Sequence, residues 1–298
     1  MSTFFYFVNN SMGDTMSIYL QLIIASILWG TNVILMKIFL TSIPFLLLAT
    51  MRVCLSLFFI VIYMKIKRIT FQYQYKRKAM IIGIFGIYLN FYFTFLGMNQ
   101  IKGIDSALLN ALAPAFTFLL SLMILKKKGS SKEYFALSIS CFAFLLSIHF
   151  RLFSIGLGFI YLFIGMILYM LSNVYVQKWD LHHSFALLFY EFLSGFIFLF
   201  AHTCIQGQLY FEGLYNISFI YWILFFAISG MGFAYIQIVY FQSIEQIGVF
   251  KTSFYLSLNP IVTYLESLIF LKEQFDWIHF LSFILLGFSI FLIKRKST

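Results

Sequence analysis

Ten stretches of the chain are apolar for long enough to cross a bilayer. They fall at about 17–37, 43–64, 79–99, 104–125, 133–150, 156–177, 184–205, 218–242, 249–271 and 277–293. The polar positions between them come in short clusters that leave no room for a soluble domain. This alternation predicts an all-α integral membrane protein with ten transmembrane helices.

The apolar pattern repeats itself. LAPAFTFLLSLMILKK (112–127) and LNPIVTYLESLIFLKE (258–273), 146 residues apart, agree at eight of sixteen positions. Chance in so apolar an alphabet gives roughly two or three. The first carries Pro114 in the fourth span and the second carries Pro260 in the ninth. ILWGTNVILMK (27–37) in the first span likewise aligns with LYMLSNVYVQK (168–178) in the sixth, and Arg52 of the second span falls opposite Glu191 of the seventh. Five spans is an odd number, so the second copy enters the membrane upside down. The expected organisation is a pair of inverted five-helix repeats at 17–150 and 151–293, with an N-terminal segment at 1–16 and a basic tail at 294–298. Repeats of this kind belong to transporters, with the substrate site near the midplane between the halves.

Composition agrees and adds orientation. The chain is 62% hydrophobic and 10% charged, too little charge to cover a soluble surface. The net charge of +10 is not a nucleic-acid footprint. It gathers in Lys65, Lys67, Arg68 and Lys76–Lys78, in Lys126–Lys128 and Lys132, and in the tail at Lys294–Lys296. Ten spans put these clusters on one face, which is then cytoplasmic with both termini. The expected location is a bacterial inner or plasma membrane, crossed many times. The N-terminus lacks a basic n-region and a cleavage site, and residues 1–15 are expected to be dispensable. Cys54, Cys141 and Cys204 match no metal or redox spacing.

Ionisable groups at membrane depth are costly and mark pathways. Arg52, Glu191 and Glu266 lie near the middle of their spans, while Asp105 and Lys251 lie nearer the ends. If the second and seventh spans face each other, Arg52 and Glu191 approach near a central cavity. A Glu whose partner comes and goes can carry a proton; a structural ion pair is the alternative. Glu266 is the other carboxylate for coupling, or it faces the outer mouth. Pro114 and Pro260 each remove a backbone donor and stand as gate hinges or passive kinks. Asn32 and Asn173 give each half a polar group for substrate or for helix contacts. Trp29 and Tyr88 can stack on a planar ligand or simply pack. Asn90, Tyr92, Asn99, Tyr235 and Gln237 add further polar groups, and bulk packing explains them as well.

These residues resemble the EamA family of the drug/metabolite transporter superfamily. The resemblance rests on Trp29-Gly30, the lone Arg52, Pro114 and Pro260, and on the last helix pair LIFLKEQFDWIHFLSFILLGFSIFLIKRK with Glu273 ending the ninth span. The first half departs, with Lys127 where that Glu is expected. The resemblance covers about 17–293 and implies ten-helix secondary transport, commonly export of metabolites.

The expected function is a secondary transporter moving an amino acid or related polar compound by alternating access, with export as direction and protons as a coupling ion. The partners are the small-molecule substrate and the bilayer, with no cofactor, metal or nucleic acid, in a monomer or homodimer. A nucleotide-sugar-type or multidrug carrier of the same superfamily is the nearest rival. A membrane-embedded enzyme stands further off, since the spans hold no HExxH, no GxSxG and no close Asp pair.

Overall fold

A computed structural model describes residues 17–294 except 73, 111, 127–128, 148–155, 182–184 and 257. The segment 1–16, Lys127 and the tail beyond Lys294 therefore lie outside the described residues. All the regular elements described are helices: α1 (Ile18–Leu40), α2 (Phe45–Ile66), α3 (Lys76–Met98), α4 (Gly103–Asn110), α5 (Ala113–Leu125), α6 (Ser131–Ser147), α7 (Leu157–Lys178), α8 (Phe185–Ile205), α9 (Phe219–Ile247), α10 (Val249–Leu256), α11 (Asn259–Phe270) and α12 (Trp277–Lys294), with one 3₁₀ turn at Glu212–Asn216. Six of these, α1, α2, α3, α7, α8 and α9, are long and apolar enough to cross a membrane.

Two of the expected spans are not continuous helices. The fourth is α4 followed by α5, and the ninth is α10 followed by α11. The cause is local. Pro114 and Pro260 sit in the first turn of α5 and α11, where a missing N–H costs nothing. Each ring excludes the carbonyl four residues back, and those residues are Asn110 and Leu256, the last of α4 and α10. The two interruptions are 146 residues apart, as are the left-handed residues Lys126 and Lys272 (both φ 53°) that follow α5 and α11.

A second irregularity is also doubled. α3 contains a π-helical segment at Ile84–Leu89, and α9 contains one at Phe225–Gly232. A π turn adds a residue and so rotates the face that the rest of the helix presents.

The packing obeys the repeat. α1 packs on α9 and α11, and its counterpart α7 packs on α3 and α5. The pairs α2–α8 and α6–α12 join like with like across the centre. Serines tie the halves together. Ser56 of α2 donates to the Ser229 carbonyl of α9 (3.1 Å), and Ser194 of α8 donates to the Met80 carbonyl of α3 (3.0 Å). Thr50 and Thr203 bond across α2–α8 (2.8 Å), and Ser140 and Ser289 across α6–α12 (3.1 Å). Such bonds are worth about 0.6–2 kcal/mol each in lipid. At α3–α8 the backbones come close at Gly83, where a Cβ would lie 2.1 Å from the Glu191 carbonyl oxygen.

One face carries a clasp. Lys37, at the end of α1, donates its ammonium to the carbonyls of Met98 (2.6 Å) and Ile101, and the Glu273 carboxylate accepts from the Gly103 N–H (2.8 Å). On the opposite face, the side chain of Gln177 at the end of α7 accepts from the Val249 N–H (3.2 Å).

Candidate functional site

A cavity of about 100 Å³ lies where the halves meet, bordered by α1, α2, α3, α4–α5, α7, α9 and α10–α11. Both irregularities serve it. In α3 the lining residues are Asn90, Phe91, Thr94 and Met98, and in α9 they are Phe233, Gln237 and Tyr240. All of these follow the π segments, at spacings that place them on one helical face. Both helix interruptions also border the cavity, through Asn110 and Ala113 on one side and Leu256 and Asn259 on the other. Irregular backbone at membrane depth is tolerated where it lines such a space.

One wall is aromatic. Trp29 meets Tyr169 (5.6 Å), Phe233 (6.3 Å) and Tyr240 (6.5 Å) edge to face, and Tyr169 stacks on Tyr240 (5.8 Å). Trp29 holds its place because Gly30 follows it. A Cβ at Gly30 would lie 2.7 Å from Val262 Cβ and 2.8 Å from the Asn259 carbonyl oxygen. α1 and α11 approach this closely at residue 30 only because it has no side chain. Gly30→Ala is expected to part these helices and cut transport without unfolding the protein, as read by exchange rate against melting temperature.

Arg52 enters the cavity from α2 and is 7% exposed. Its guanidinium lies over Phe233 at 4.0 Å and Phe91 at 4.9 Å, and its Nε has no hydrogen-bond partner. Cation–π contacts with desolvated rings are worth about 2 kcal/mol. Taking a guanidinium out of water costs several kcal/mol, so the rings offset only part.

Other buried polar atoms around the cavity are also unpartnered. They are both amide atoms of Gln237, the Thr117 hydroxyl, the Asn259 side-chain oxygen and the Tyr169 hydroxyl. The Tyr169 hydroxyl has the amides of Asn173 and Gln237 for neighbours, but neither completes a hydrogen bond of good geometry. Native interiors leave few such groups, and each needs an explanation. Here they converge on one space.

Of the residues expected from the sequence, Trp29, Arg52, Asn90 and Gln237 line this cavity. Asn32 does not; its amide donates to Ser229 (3.0 Å), tying α1 to the π segment of α9. Asn173 donates to the Tyr169 carbonyl on its own helix (2.9 Å). Tyr88 bonds His202 (3.3 Å) on α8, away from the cavity. The expected meeting of Arg52 and Glu191 does not occur: neither forms an ion pair. Glu191 is 1% exposed and faces Gly86 and Ser172, with Oε2 unpartnered. Their helices do pack together, but Arg52 lies against Phe91 and Phe233 while Glu191 lies beside Gly86. Tyr169 lies within electrostatic reach of both Arg52 and Glu191. Glu266 accepts from the Thr31 hydroxyl (2.7 Å), and its other oxygen is unpartnered.

Residues that sequence reasoning passed over are Phe91, Asn110, Thr117, Tyr169, Phe233, Tyr240 and Asn259. A signal existed for two. Thr117 matches Thr263 in the repeat, and Thr263 bonds the Gly30 carbonyl (3.3 Å) whereas Thr117 is free. Asn259 precedes the second repeated proline. Among the described residues no cluster of His, Cys, Asp and Glu is arranged to hold a metal.

The model of the EamA-like transporter family matches residues 16–149 and again residues 156–295. No curated protein matches the sequence. A solved structure described only as the crystal structure of a protein shares 11% identity with this chain at a TM-score of 0.70, over 93% of this chain and 97% of the other. At that identity the likeness concerns the fold alone.

Proposed function

Because the chain belongs to the EamA-like transporter family, we propose that it is a secondary transporter that carries a small polar metabolite across the cell membrane by alternating access. The observation that carries the reading is the central cavity. Unpartnered buried polar groups converge there, and both proline-broken helices end at its edge. Broken helices at an inter-repeat site are a device of transporters.

In this reading the two pairs of half-helices, α4–α5 and α10–α11, each make one crossing. Together with the eight other helices they give ten spans in two inverted repeats. The lysine clusters then face the cytoplasm, with both termini. Reporters fused after Lys76, after Ser130 and at the C-terminus are expected to read cytoplasmic, and one near Gly207 external. An external reading at Ser130 would overturn the ten-span arrangement.

Export is the expected direction and the proton the expected coupling ion, with Glu191 as the carrier. It is a buried carboxyl with no ion-pair partner, within electrostatic reach of Tyr169 in the cavity wall. Glu191→Gln keeps size and hydrogen bonding and removes titration. The variant should exchange substrate as fast as wild type yet fail to concentrate it on a pH gradient. Accumulation equal to wild type in gradient-loaded proteoliposomes passes the role to Glu266.

The transport reading itself is tested by comparing metabolites in cells with and without the protein. Compounds that change are then assayed for counterflow in proteoliposomes. Exchange of none of them refutes it.

A further inference from the structure

We infer that the central cavity receives a small organic monoanion, a carboxylate on an aliphatic body, and discriminates against the zwitterionic amino acid of the same shape. The inference rests on the transport reading and assigns its substrate class.

The charge pattern of the cavity decides the class. Arg52 is the one cation among the lining residues, and no Asp or Glu is among them. Glu191 and Glu266 are not among the lining residues. A guanidinium with a free Nε in a desolvated site is a receptor for a carboxylate, through charge-assisted bonds. A second cation in the same small space is repelled by Arg52 and finds no carboxylate among the lining residues, only the neutral oxygens of Gln237 and Asn259, and the ring faces of Phe91 and Phe233 already lie against the guanidinium. The ammonium of an amino acid therefore leaves water without a counter-charge, a strongly unfavourable step. A dianionic phosphate needs more than one cation to replace its hydration, which also disfavours nucleotide-sugar cargo.

The remaining walls describe the body. Met36, Met98, Met166, Met170 and Leu256 are apolar, and methionine adapts to varied aliphatic shapes. Gln237 offers a free donor and a free acceptor, and Asn259 a free acceptor. A hydroxyl beside the carboxylate satisfies them without bringing charge. The chemical description is thus a short-chain 2-hydroxy or 2-keto carboxylate.

The test compares four probes on the purified wild-type protein: 2-hydroxyisovalerate, L-valine, isobutylamine and inorganic phosphate. The first two differ only in hydroxyl against ammonium. Binding is read by thermal stabilisation and by intrinsic tryptophan fluorescence, with Trp29→Phe to assign the signal. The expected result is 2-hydroxyisovalerate binding at least about tenfold tighter than valine, with no saturable binding of the amine or phosphate. Arg52→Gln should abolish the preference, and Arg52→Lys should keep it in weakened form. If either variant fails to fold, the wild-type ranking still decides. Valine, the amine or phosphate binding as tightly as the hydroxy acid overturns the assignment, and so does binding of none. The transport reading is judged separately, by whether any compound exchanges in counterflow.

Discussion

Gly83→Ala is expected to cost the protein about 3 kcal/mol or more, the upper end of overpacking penalties, for the addition of one methyl group. The new Cβ would lie 2.1 Å from both the Glu191 carbonyl oxygen and the Ser194 hydroxyl, and 2.8 Å from the Glu191 carbonyl carbon. Two of those three atoms are backbone and cannot turn aside. α3 and α8 would have to separate, which also removes the bond from Ser194 to the Met80 carbonyl. Gly287→Ala in α12 is the control. A Cβ there meets nothing within 4 Å, so the same change should stabilise by about 0.4–1 kcal/mol through the unfolded state. The measurement is thermal unfolding in detergent, and the two variants should move in opposite directions. Equal melting temperatures would mean that the α3–α8 contact is looser than described.

The second large effect concerns the paired prolines. Pro114→Ala with Pro260→Ala restores an N–H able to bond the carbonyls of Asn110 and Leu256, and removes the rings that exclude those carbonyls. Alanine is about 3 kcal/mol more favourable than proline inside a helix, so α4–α5 and α10–α11 should each close into one helix. Melting temperature is expected to hold or rise. Exchange in proteoliposomes is expected to fall at least tenfold, about 1.4 kcal/mol on the rate, because the joints at the cavity edge are gone. Each single variant should show an intermediate loss. Wild-type exchange in the double variant would reduce the breaks to passive kinks.

The helical class could be read from the sequence because lipid imposes it: an unpaired backbone facing hydrocarbon is too costly, so an apolar crossing is helical except where it lines a cavity. The repeat could be read from the residues the two halves share. The proline pair was legible too, since proline acts on the carbonyl four residues back whatever surrounds it. What faces the cavity was legible only in part, at Trp29, Arg52, Asn90 and Gln237. Lipid and protein interior accept the same Leu, Ile and Phe, so the runs carry no polar stripe to show which side is buried. Phe233 and Tyr240 look like any other aromatic residue of α9. The π segments before them, which set their facing, have no residue signature. For Arg52 and Glu191 the sequence supplied equivalent positions, and equivalence in a repeat fixes depth but not direction.

The partners of α1 come from the far end of the chain. Asn32 bonds Ser229, Ser26 bonds the Tyr255 carbonyl and Thr31 bonds Glu266, across 197, 229 and 235 residues. At about 5–20 residues per second of synthesis, these groups wait roughly 10–45 s after they emerge from the ribosome. During that interval the Asn32 amide has no partner, the Ser26 and Thr31 hydroxyls bond only carbonyls of their own helix, and the Arg52 guanidinium has the Phe91 ring but not that of Phe233. Their early company is whatever the insertion machinery and the lipid headgroups supply. A nascent chain halted after α6 lacks all three of these partners.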